Sequence, residues 1–240
     1  MSENEARRDE LGRAFAGSQM QTQLYVARRP KDLSASVRAA LRDAEVLRET
    51  VRWVAPLESQ HFLEPSDAGF LQALGLGDLS AKLADFWPFG GPVWDALAVL
   101  GADARRDGVL LVEAKSYPGE VYGRGCLATD PNSLQMISAS LNRVKQRYGI
   151  RQDTDWTGRL YQYANRLAHV YFLREVCHVP AWLVNLLFTD DQSAIKPTTL
   201  EEWKMALPLI KVELGFGSSS IPWALDVFLP AKPREELLSG

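Results

Sequence analysis

The stretch Ala181-Trp182-Leu183-Val184-Asn185-Leu186-Leu187-Phe188-Thr189 is apolar at nearly every position. Successive side chains of a strand point to opposite sides, so a strand with one wet face alternates apolar and polar residues. A run without alternation is covered on both faces, and residues 181–189 therefore predict a central strand with layers above and below it. A second run, Val109-Leu110-Leu111-Val112, has the same character and ends in charge, Glu113-Ala114-Lys115. Between the two runs lie segments of helical periodicity. Asp130 and Pro131 open the first as N-cap and first helical residue. Leu134, Ile137, Leu141, Val144 and Tyr148 then recur at steps of three and four, and Gly149 is a natural stop. The second helix is expected over 154–177, burying Leu160, Ala164, Leu167, Val170 and Tyr171 and ending before Pro180.

The remaining elements fit around this centre. Asp32 or Ser34 is placed to cap a helix reaching about Trp53, with Val37, Leu41, Leu47 and Val51 on one side and Pro56 beyond its end. Residues 57–92 read as short helical pieces, one of them 78–86, and the Pro and Gly of 87–92 demand an ordered loop. A strand is expected over 93–100, a hairpin loop over the polar stretch 101–108 between two glycines, and a turn at Ser116-Tyr117-Pro118-Gly119. A helix over 199–210, with Pro208 near its end, and a strand over 223–229 complete the order. The pattern predicts an α/β fold with a mixed central sheet flanked by helices. Residues 1–30 read as an arm or extra helix, 31–230 as one domain and 231–240 as a polar tail.

Composition narrows the function classes. The chain has 240 residues, 46% hydrophobic and 24% charged, as in ordinary globular proteins. Cys126 and Cys177 make neither a disulfide framework nor a zinc set, and His61, His169 and His178 add no ligand spacing to them, so a cytoplasmic setting is expected. The charged N-terminus lacks the apolar core of a secretory signal, and no apolar stretch has the length of a membrane span. The net charge of −3 is not that of a generic nucleic-acid binder. Gly215-Phe216-Gly217 reads as a loop, and no P-loop is present.

The charged end of the second run carries the chemistry. Residues two apart on a strand share a face, so Glu113 and Lys115 stand side by side. If the hairpin is symmetric about Ala104, Asp95 falls opposite Glu113 with Cβ atoms roughly 5 Å apart. Two carboxylates so placed repel each other, and a divalent cation would relieve the conflict.

Pro92-Val93-Trp94-Asp95 followed by Glu113-Ala114-Lys115 resembles the PD-(D/E)XK nuclease superfamily, the restriction-endonuclease-like fold. There an Asp at the start of one strand pairs with a D/E-x-K tripeptide on its neighbour. Two departures stand out: Val93 and Trp94 separate the proline from the Asp, and no strand is evident before Val93. The resemblance implies a metal-dependent nuclease, with DNA the expected substrate and Mg²⁺ (or Mn²⁺) the cofactor. Asp95, Glu113 and the carbonyl of Ala114 would hold the metal, and Lys115 would orient the attacking water and stabilise charge on the phosphate. A homodimer is expected by analogy. A further acid from the N-terminal half is expected among Glu45, Glu49, Glu58 and Asp85. Glu120 is a candidate to reach the site across the turn. Gln162 is a candidate supporting residue, with Arg166 four residues on to take a phosphate and Asn165 beside it. Asp190 and Asp191 read as a loop and cap pair. Arg105, Arg106, Arg143 and Arg147 are candidate substrate contacts. The alternatives are a catalytically silent member of the fold, binding nucleic acid or protein, and a metal hydrolase of smaller phosphate esters.

Overall fold

The computed structural model describes residues 7–43, 50–101, 107–217 and 220–239. Two helices, α1 (Gly17–Arg28) and α2 (Pro30–Asp43), precede the first strand, β1 (Val51–Ala55). Short helices α3 (Asp67–Ala73) and α4 (Ser80–Phe86) lead to a hairpin of β2 (Ala96–Leu100) and β3 (Gly108–Lys115). The long helices α5 (Pro131–Tyr148) and α6 (Tyr161–Tyr171) lead to β4 (Ala181–Thr189), then α7 (Leu200–Glu213), β5 (Ala224–Pro230) and α8 (Glu235–Leu238). The strands form one mixed sheet in the order β1-β2-β3-β4-β5. β1, β2 and β3 are an antiparallel meander, whereas β3, β4 and β5 run parallel.

Period-two alternation divides the sheet's side chains between two cores. Leu97, Val99, Val109, Leu111 and Leu183 face α3 to α6, meeting Phe70, Phe86, Ile137, Leu141, Ala164 and Leu167. Ala98, Leu110, Val112, Trp182, Val184 and Phe188 face α1 and α2, meeting Met20, Leu24, Tyr25, Leu33 and Val37. β4 is buried along its whole length, as a strand with both faces covered must be. Among the described residues no helix is long and apolar enough to cross a membrane.

Several boundaries differ from expectation. The helix placed up to Trp53 is described as far as Asp43, and residues 51–55 are strand instead. Val51, Trp53 and Val54 are β-branched or aromatic and suit a pleated surface; Leu47 lies outside the described residues. A strand therefore does precede Val93, where none was evident in the sequence. α6 starts at Tyr161, seven residues after Thr154, because the Asp155 carboxylate accepts from the backbone of Thr157 and Gly158 and holds a turn there. Beyond Tyr171 the helix widens into one π turn over Phe172–Val176. α7 continues past Pro208 to Glu213. α5 behaves as read: Asp130 accepts from Ser133 N at 2.8 Å, and Gly149 closes the helix at φ 70°. α1 is packed inside the fold, with Leu24 and Tyr25 buried.

Candidate active site

Every described pair of the β2–β3 hairpin obeys one register, from Ala96 opposite Val112 to Leu100 opposite Gly108. One residue further, this register sets Asp95 opposite Glu113 and on the same face. Asp95 stands just before β2 and is half-buried, whereas Glu113 is 7% exposed. The row continues across the sheet, because Glu113 pairs with Asn185 on β4 and Asn185 with Asp226 on β5. Four polar side chains therefore cross this face in line, with Lys115 beside Glu113.

Hydrogen bonds fix the two acids differently. Asp95 Oδ2 accepts from the backbone N–H of Ala114 at 2.7 Å. Glu113 Oε1 meets Lys115 Nζ at 2.5 Å, and its Oε2 accepts from Arg166 Nε. Arg166 also donates to the carbonyls of Gln162 at 3.0 Å and Val93 at 3.2 Å, and its guanidinium lies over the Trp94 ring. Arg166 is thus a buried partner of Glu113 rather than a free phosphate hand. Lys115 and Arg166 counter the repulsion between the acids.

The titration directions follow. Burial raises the Asp95 carboxyl, the Glu113 charge adds to this, and it is pushed up to about 8. Burial would raise Glu113 too, but Arg166 and Lys115 outweigh it and hold that carboxyl below its ordinary range. Burial pulls on Lys115, yet Glu113 and Asp95 prevail and keep its ammonium protonated beyond the usual range. The neutral form is therefore favoured at Asp95 and the ionised form at Glu113.

Glu120 sits on the short turn Pro118–Val121, its Oε2 accepting from Ser116 N at 2.6 Å. Burial raises its carboxyl, against the Ser116 N–H and, less strongly, Lys115. Ser116 Oγ in turn donates to Asp191 Oδ2 at 2.6 Å, and buried Asp191, read as a loop and cap residue, also accepts from Ser193 N at 3.0 Å through Oδ1. Gln162 is exposed, and Asn165 is buried next to Arg166.

Other candidates are placed elsewhere. Glu58 pairs with Arg28 at 2.7 Å and Asp85 is exposed on α4, while Glu45 and Glu49 lie outside the described residues. The N-terminal acid nearest the pair electrostatically is Glu64, which the sequence reading passed over. It accepts from Arg8 at 2.7 Å and Gln19 at 2.8 Å, and its carboxyl is raised by burial, with Glu113 contributing. Arg105 and Arg106 lie outside the described residues. Arg143 is exposed on α5, and Arg147 pairs with Glu175 and stacks on Trp223, away from the carboxylates. His169, read as a surface or partly buried histidine, is 1% exposed among Phe70, Trp87 and Trp94, and burial lowers its pKa to about 4.

Among the described residues no group of three or more His, Cys, Asp or Glu side chains is arranged to hold a metal. What remains is a smaller oxygen set: Asp95, Glu113 and a backbone carbonyl. The N–H and C=O of one strand residue point to the same side, so the Ala114 carbonyl is directed toward the edge where its N–H meets Asp95. Two carboxylates and a carbonyl fit Mg²⁺, which retains several waters and takes the rest of its shell from substrate phosphate. Comparison of the chain with protein-family models, curated proteins and solved structures returned no match.

Proposed function

We propose that this chain is a metal-dependent nuclease hydrolysing phosphodiester bonds, with DNA the favoured substrate. One observation carries the reading: the hairpin register that brings Asp95, Glu113 and Lys115 together on one face at the end of β2 and β3. The antiparallel meander followed, after two long helices, by a parallel strand supports it as a restriction-endonuclease-like core. So does β1, which supplies the strand that such a core places before the hairpin.

Asp95, Glu113 and the Ala114 carbonyl would hold Mg²⁺, which supplies a water of lowered pKa and neutralises phosphate charge. Lys115 remains protonated and acts by donating hydrogen bonds. An ammonium has three donors, so the contact to Glu113 leaves others for the attacking water and a non-bridging phosphate oxygen. Arg166 keeps Glu113 ionised and oriented. Glu120, raised by burial and fixed by Ser116 N–H, would accept a proton more readily than a surface carboxylate and would take that of the attacking water.

The test is incubation of the full chain with linear, nicked and branched DNA and with RNA, in Mg²⁺ or Mn²⁺, beside Lys115→Ala and Asp95→Asn. Cleavage by the wild type alone supports the reading. Equal cleavage by all three preparations identifies a contaminant. Wild type that binds nucleic acid but cuts none of these substrates favours the second reading, a catalytically silent module of the same fold. The observation behind that alternative is the pairing of both Glu113 oxygens by Lys115 and Arg166, which balances its charge with side chains alone.

A further inference from the structure

A groove of about 610 Å³ runs from the surface to Arg166, between the 88–93 loop and the first turns of α5 and α6. That volume is within the roughly 300–1,000 Å³ of small-ligand sites. Phe89 stands on its rim, 94% exposed. The loop that presents Phe89 is pinned: Asp67 Oδ1 accepts from Gly90 N at 3.0 Å and from Gly91 N at 2.9 Å. Gly90 adopts φ 93°, a conformation that favours glycine, and a Cβ on Gly91 would come within 3.3 Å of His169 Nε2. The aromatic ring is therefore displayed from a fixed backbone. Val93 and Leu127, both exposed, add apolar surface to the groove, and the Gln162 and Asn165 amides lie on its α6 side. Arg166 joins this groove to the carboxylates through its contacts with Val93 O and Glu113.

Charge argues against capture of an intact duplex. Phosphate neutralisation supplies most non-specific duplex affinity, yet the chain carries −3 overall and its two cations at the site, Lys115 and Arg166, already hold Glu113. An aromatic face and side-chain amides suit a base instead, by stacking and by edge hydrogen bonds. A base enters such a slot only when it is out of the helical stack. We propose that the groove takes one unpaired nucleobase beside the scissile phosphate, so that the substrate is single-stranded or locally melted nucleic acid. This inference rests on the nuclease reading.

The experiment separates the two. Anisotropy of labelled single-stranded DNA, single-stranded RNA of the same sequence and the DNA duplex is measured in chelator with wild type, Phe89→Ala and Phe89→Trp, and cleavage is assayed separately in Mg²⁺. Wild type is expected to prefer single strands over duplex by at least about tenfold. Phe89→Ala is expected to lose about tenfold or more on single strands, as stacking requires, with duplex binding and melting temperature unchanged, and Phe89→Trp to restore binding. The DNA and RNA arms identify which sugar is preferred. Equal affinity for single strands and duplex, or no loss in Phe89→Ala, overturns the groove assignment even if the enzyme cuts. Phe89-dependent single-strand binding without cleavage supports the groove and sinks the nuclease reading.

Discussion

Two polar clusters sit in the same row of the sheet and differ in how they balance charge. At β4 and β5, Asp226 accepts from Lys211 Nζ at 2.7 Å and from Asn185 Nδ2 at 2.8 Å, and Asn185 also donates to Tyr163 Oη at 2.7 Å. One acid meets one base directly, and an amide and a hydroxyl complete the chain on the acid's other oxygen. At β2 and β3, two acids face each other and share the influence of Lys115, with Arg166 committed to Glu113. A row that is merely structural satisfies itself, as the first cluster does. The second keeps an acid whose neutral form is favoured by burial and, beyond that, by its ionised neighbour; the nuclease proposal rests on that imbalance.

The largest expected effect tests that contrast directly. Lys115→Ala is expected to lower kcat/KM for cleavage by about a hundredfold or more, the scale of a positioned polar catalytic group, and Asp95→Asn to do the same. Steady-state rates in Mg²⁺ check this, and a loss below tenfold for both variants would remove the functional side of the comparison.

Stability gives the next largest effect. Glu113→Gln leaves the Arg166 and Lys115 cations without their carboxylate in a buried setting, and breaking such a pair by removing one member costs about 3–5 kcal/mol. Chemical denaturation reads the change. A cost under about 1 kcal/mol would mean that both cations reach solvent and that Glu113 is not the centre of the cluster.

The pH dependence follows from the two acids separately. Glu113 has its folded pKa depressed, so its contribution is present above the ordinary value of 4.5 and is lost as pH falls through the folded one. Asp95 has its folded pKa raised from 3.8 to about 8. The folded state therefore holds more protons than the unfolded chain between these values, and stability declines as pH rises from about 4 through 8. Melting temperature of the wild type is expected to fall between pH 5 and 8, and that of Asp95→Asn to stay flatter. Added Mg²⁺ at pH 8 is expected to raise the wild-type midpoint and leave Asp95→Asn unmoved, because a ligand stabilises only the state that binds it. Parallel pH curves for the two proteins would remove Asp95 from the coupled pair.

How far the sequence foretold this arrangement depended on distance along the chain. The β2–β3 register could be read because two apolar runs flank a short glycine-bounded loop, and a symmetric hairpin leaves little choice of partner. The ends of α5 were written in Asp130, Pro131 and Gly149, each acting on its own turn. Arg166 was read as a phosphate ligand because nothing in its helix reveals a carboxylate 53 residues earlier. Glu64 escaped notice for the same reason: it lies in an irregular segment, and its partners Arg8 and Gln19 stand far earlier in the chain. β1 was hidden because five residues, partly exposed on both sides, carry no clear period, and α6 was begun too early because a side-chain turn at Asp155 overrides helical periodicity.

The smallest effect is the sharpest control. Asp226→Asn keeps the shape and one acceptor for Asn185 while deleting the charge opposite Lys211. Lys211 is about one-fifth exposed, so its ammonium can turn to water and the expected cost is only about 1 kcal/mol. Cleavage is expected to stay within about twofold of wild type, since a loss of that size near, but not at, the chemistry moves the barrier little. Denaturation and steady-state rates measured on one preparation check both. If Asp226→Asn instead abolished cleavage while leaving stability intact, the four-residue row would be a single chemical unit extending from β2 to β5, and the division between a balanced structural cluster and an unbalanced reactive one would fail.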